Sequence, residues 1–231
     1  ERHPRAVEEK KEVRPLVKRP AVERVETAPG GIFSPERLDQ LKVTLVASAD
    51  PQAKIEALRL LCYSPITPED KTELLVQAVQ DASAEVRAEA ATLTAAVGAD
   101  AGAAESLRAL AAGDEANRTF AAERLGVYAR EGRGAQAVFA VTALVAALRH
   151  DASASVRKAC LKSLEDSAGF LAANERRAVE LMRMLLVHLA RDFTALAYPV
   201  RRLLMRLAEY IPAVVEQVLW EEAGATPDRR V

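Results

Sequence analysis

Three histidines and two cysteines are the residues of this 231-residue chain best suited to acid–base, nucleophilic or metal chemistry. His3 lies in a proline-rich stretch, His150 immediately precedes Asp151, and His188 sits within the apolar run Leu185-Leu186-Val187-His188-Leu189. A histidine beside an aspartate can pass a proton. Here, however, the pair falls where a helix is expected to end, and an imidazolium at that position is simply favoured by the helix dipole. His188 reads as a helix-packing or edge residue. Cys62 and Cys160 stand 98 positions apart in apolar surroundings. They read as small buried hydrophobes rather than a disulfide, which points to a reducing, cytoplasmic compartment. The chain has no CxxC pair and no glycine-rich phosphate loop. The residues therefore predict a non-catalytic protein with no cofactor, no metal and no catalytic residues.

The elements that must carry these side chains follow from composition. Half of the residues are apolar but only 4% are aromatic, so alanine, leucine and valine do the packing. That balance suits closely spaced helices; a sheet would call for more β-branched and aromatic side chains. The formal net charge of -1 supplies no global field for nucleic acid or an anionic membrane. No run reaches the ~18 apolar residues of a membrane span, residues 135–148 being interrupted by Gln136 and Thr142, and no stretch reads as a signal peptide.

Residues 1–33 differ from the rest: four prolines (Pro4, Pro15, Pro20, Pro29), eight Lys/Arg and six Glu, with no helical or alternating period. Such a segment cannot bury enough apolar surface to offset its ordering entropy, so an extended or disordered arm is expected. Val13, Leu16, Val17, Val22 and Val25, spread between prolines, look like anchors for a partner's groove. From Ser34 the pattern becomes helix after helix. Ser34-Pro35, Asp50-Pro51 and Thr67-Pro68 each place a capping side chain before a proline, and Ile211-Pro212 has the proline without the cap. Apolar residues recur at helical spacing, as in Val138, Val141, Leu144, Val145 and Leu148. Gly98, Gly113 and Gly126 read as stops. About eleven helices and no strands are expected.

Self-comparison exposes a repeat. Residues 81–87 read DASAEVR and residues 151–157 read DASASVR, identical at six of seven positions. Weaker copies start at Asp50, Asp114 and Asp192, so the five aspartates are spaced by 31, 33, 37 and 41 residues, about one helical hairpin each. One hairpin cannot cover its own apolar stripe and must stack on its neighbours.

The order aspartate, short turn, Val-Arg, small residue, leucine resembles the HEAT-repeat family over about residues 34–222. The resemblance implies a right-handed α-solenoid of about five helical hairpins, with residues 223–231 as a C-terminal tail. It also implies a bridging ladder of aspartates (Asp50, Asp81, Asp114, Asp151, Asp192) and arginines (Arg87, Arg118, Arg157, Arg201). Lys54 and Glu56 flank Ile55 in the first repeat, and Asn117 replaces valine in the third. A regular ladder is therefore expected only at repeats two and four, from Asp81, Arg87, Asp151 and Arg157. The family's iron-dependent hydroxylases carry His-Glu pairs, and this chain has none. HEAT-like DNA glycosylases line their groove with aromatic residues, whereas the single Trp220 falls in the expected C-terminal cap. Bilin lyases are built from similar repeats and offer no motif to test.

In such repeats the second helix of each pair lines the concave face. Two and six places after its valine stand Lys158 and Lys162 in repeat four, and Arg202 and Arg206 in repeat five. They form a basic row suited to an acidic protein segment; nucleic acid is disfavoured because no aromatic stacking groups are expected nearby. The reading is a non-catalytic protein–protein interaction scaffold, a subunit of a larger assembly, that engages partners through its arm and this face. Two alternatives stand beside it: a nucleic-acid-associated HEAT-like protein using the basic row, and a bilin-lyase-like cofactor-handling enzyme.

Overall fold

The computed structural model describes residues 33–131, 134–191 and 193–224. The arm anchors Val13, Leu16, Val17, Val22 and Val25, the repeat residue Asp192 and residues 225–231 lie outside them, as does the side chain of His188.

The described residues form an all-α protein without a strand. The order is α1 (Pro35–Ala47), α2 (Pro51–Tyr63), α3 (Pro68–Ala78), α4 (Ala84–Thr94) with a 3-10 turn over Ala95–Val97, α5 (Ala101–Ala112), α6 (Glu115–Glu131), α7 (Ala135–His150), α8 (Ala154–Asp166), α9 (Ala168–Ala172), α10 (Glu175–Arg191), α11 (Phe193–Ala208) and α12 (Pro212–Gly224). That is one helix more than the periodicity predicts, because the five-residue α9 is too short to display a period.

Local chemistry sets the starts. Ser34 accepts from the Arg37 N–H at 3.3 Å, Asp50 from Gln52 at 3.0 Å and Thr67 from Asp70 at 3.1 Å, each with proline in the first turn. Ser83 and Ser153 do the same for α4 and α8 at 3.5 and 3.4 Å. At Gly98, φ is 90°, the left-handed conformation that stops the 3-10 turn. Gly113 follows α5. Gly126 is not a stop: it lies inside α6, where a Cβ would meet the Ser163 Cβ of α8 at 2.7 Å. Its lack of a side chain lets α6 and α8 approach closely. Ser163 and Ser167 then donate across the seam to the carbonyls of Ala122 and Gly126, at 2.9 and 3.4 Å.

A single apolar core runs from Leu41 in α1 to Val218 in α12. The helix α7 is apolar on nearly all sides and buries nine residues, Phe139 the largest. No helix among the described residues is long and apolar enough to cross a membrane. Packing is mostly between neighbours: α1 on α2, α2 on α4, α6 on α8, and α8 on α11. The pattern changes at α5, which packs against both α4 and α6, while α3 reaches α7 directly.

Candidate partner-binding surface

The turns before α4 and α8 fix how successive helix pairs sit on one another. Asp81 accepts from the Ser83 N–H at 2.8 Å and takes Lys54 Nζ of α2 at 2.6 Å. Asp151 repeats this with Ser153 at 2.8 Å and takes Arg118 of α6 through Nε at 2.7 Å and Nη2 at 3.2 Å. The cations on both aspartates come from the preceding unit, and from the two repeats that depart from the pattern. Arg87 and Arg157 face back into their own turns. Each donates through Nη1 to two carbonyls, those of Asp81 and Ala82 and those of Asp151 and Ala152, at 2.8 to 3.0 Å. The expected regularity at repeats two and four thus takes another form. A side chain six residues after its aspartate, on the same turn, reaches that turn's carbonyls most readily. The carboxylate is left for a cation arriving from the neighbouring helix. Asp114 accepts from the Asn117 N–H at 2.8 Å. Burial lowers the Arg87 pKa, opposed by Asp81 and Asp151, whose charges act in the other direction.

The basic row lies on exposed helix faces. Lys158 and Lys162 of α8 are exposed, and no carboxylate of the described residues lies within 4 Å of either. Arg202 and Arg206 of α11 are half-exposed and already paired. Arg202 Nη2 meets Glu165 of α8 at 2.6 Å, and Arg206 meets Glu209. Each arginine also lies over an aromatic ring, Arg202 on Tyr198 at 6.0 Å and Arg206 on Tyr210 at 5.7 Å. Tyr198 is 71% exposed and Tyr210 50%. The expectation that no aromatic groups stand near the basic row is therefore corrected. Both tyrosines lie four residues from their arginine: Tyr198 shares a face of α11 with Arg202, and Tyr210 stands in the turn just after α11.

The groups with chemical potential lie elsewhere. Cys62 and Cys160 are free and buried, and desolvation pushes their thiol pKa up to about 11 and about 12. His150 is the exposed last residue of α7. Trp220 of α12 is 72% exposed. Among the described residues no group of three or more His, Cys, Asp or Glu side chains is placed to hold a metal ion.

Comparison of the chain with protein-family models, with curated proteins and with solved structures finds no match to any of them.

Proposed function

We propose that the chain is a HEAT-like α-solenoid acting as a non-catalytic protein-binding scaffold within a larger assembly. Partners are held on the helix faces bearing Lys158, Lys162, Arg202 and Arg206, and by the N-terminal arm. The observation that carries this reading is the exposed pair Lys158 and Lys162 of α8, with no carboxylate of the described residues within 4 Å, on a helix that packs against α11, whose Arg202 and Arg206 lie over Tyr198 and Tyr210. Exposed aromatic and arginine groups are the usual anchors of protein interfaces, and free lysines steer an acidic partner towards them. The test is the double variant Lys158→Glu/Lys162→Glu, compared with the unaltered chain for recovery of its partners and for thermal unfolding. Loss of partners at an unchanged melting temperature is the expected result. Full retention of every partner would remove this face from the function.

A second reading has one observation in its favour. Tyr198 and Tyr210 next to two arginines also suit the stacking of single-stranded bases. Binding of a single-stranded oligonucleotide that falls steeply with salt would favour it over an acidic protein segment.

A further inference from the structure

The four cations of the basic row are not equally available. Lys158 and Lys162 of α8 have no carboxylate of the described residues within 4 Å. Arg202 and Arg206 of α11 are each held by an acid of this chain. Those two acids differ. Glu209 stands three residues after Arg206 and its side chain is 58% exposed. Glu165 comes from the neighbouring helix α8, is only 15% exposed, and meets Arg202 at 2.6 Å. A single hydrogen bond, Nη2 to Oε1, joins this pair, so the fork of the arginine is not filled. Half of the Arg202 side chain is exposed, and its guanidinium lies over the Tyr198 ring at 6.0 Å. The ring gives the guanidinium a second contact on α11 that does not depend on the glutamate.

Along α8, positions 158, 162, 165 and 166 follow one another at helical spacing, which puts the two lysines and both acids on one side of the helix. Asp166 is exposed and has no cation of the described residues within 4 Å. We propose that Glu165 is an internal competitor for the acids of a partner: it occupies Arg202 in the free protein, and an incoming carboxylate must displace it. Displacement leaves Glu165 charged, largely covered and beside a second carboxylate, which is unfavourable. A segment with a lone acid therefore gains little at Arg202. A densely acidic segment, once anchored on Lys158 and Lys162, presents its next carboxylate to Arg202 at high local concentration and takes the place of Glu165. The inference rests on reading this face as the site for an acidic protein segment, and it names the residue that sets how acidic that segment must be.

Titration of the full chain with a fluorescent polyglutamate peptide tests it. Glu165→Gln keeps the shape of the side chain and releases Arg202, so it should bind the peptide roughly fivefold more tightly, the worth of one exposed ion pair. Asp166→Asn makes the same change of charge one residue on and releases no arginine, so its gain should be clearly smaller. Equal gains in the two variants, which a general field would give, or no gain in Glu165→Gln would overturn the proposal. Should Glu165→Gln fail to fold, the guanidinium N–H resonances of Arg202 in the unaltered chain decide. They should shift as the peptide displaces the glutamate, and resonances that stay fixed while peptide binds would overturn it. The underlying reading has its own control: Lys158→Glu/Lys162→Glu should abolish peptide binding whichever way Glu165 behaves. Undiminished binding in that variant, or none in the unaltered chain, would remove the face itself along with its competitor.

Discussion

Arg118 holds Asp151 with two N–H donors, at 2.7 and 3.2 Å, where Lys54 holds Asp81 with one at 2.6 Å. The carboxylate of Asp151 is 7% exposed and that of Asp81 13%. Both pairs join helices from successive units, and both are fixed on the aspartate side by the N–H of a serine two residues on. The forked contact is the drier of the two on its acid side, so its loss should be felt more.

Arg118→Ala should destabilise the protein by about 2 kcal/mol, because it leaves Asp151 charged and nearly buried. Lys54→Ala should cost about 1 kcal/mol, since a point charge forms fewer directed bonds than a fork. Urea unfolding of the two variants measures both. An Arg118→Ala midpoint equal to that of the unaltered chain would make the contact incidental to stability.

Gly126→Ala should destabilise by about 1–3 kcal/mol, although alanine is the better helix former by about 1 kcal/mol. The added Cβ meets Ser163 Cβ at 2.7 Å and its Cα at 3.2 Å, and neither atom is the free end of a flexible side chain. A lowered melting temperature is expected, whereas an increase would mean that the seam between α6 and α8 opens freely.

Alkaline pH should weaken the fold through the two thiols. Their folded pKa values, about 11 for Cys62 and about 12 for Cys160, lie above the ~8.5 of an unfolded cysteine. The folded state therefore keeps protons that the unfolded state releases. Stability is unaffected by them below pH ~8.5 and falls as pH rises towards the folded values, by up to about 1.4 kcal/mol per pH unit for each thiol. Cys160→Ala should flatten the slope of unfolding free energy measured between pH 9 and 11. A slope identical to that of the unaltered chain would assign alkaline loss to other groups.

Small-angle scattering tests the solenoid reading. A compact body of the size of residues 34–224 has a radius of gyration of about 16 Å. Stacked helix pairs set ~8–10 Å apart should give a clearly larger value for a chain starting at Ser34. A result at the compact figure would leave an all-α protein without the extended stack.

The helix starts were legible without a structure. Ser34, Asp50 and Thr67 act on N–H groups two or three residues away, and the prolines after them act on their own φ, so everything the signal needs lies within one turn. The aspartate turns at 81 and 151 could be found by self-comparison for the same reason. The exposure of Lys158 and Lys162 followed from helical spacing. Gly126 shows where that reach ends. The same residue type stops one helix at position 98 and sits inside another at 126, and only Ser163, 37 positions on, decides which. The cations on Asp81 and Asp151 are of the same kind: Lys54 and Arg118 are 27 and 33 residues away, and adjacent helices bring them close. That α5 packs against both α4 and α6 while α3 reaches α7 is likewise a choice made by which apolar faces fit together. Local hydrogen bonds and backbone preferences determined where this chain coils into helices. Packing across tens of residues decided which side chains meet, because contact between distant segments depends on the shapes of both surfaces at once.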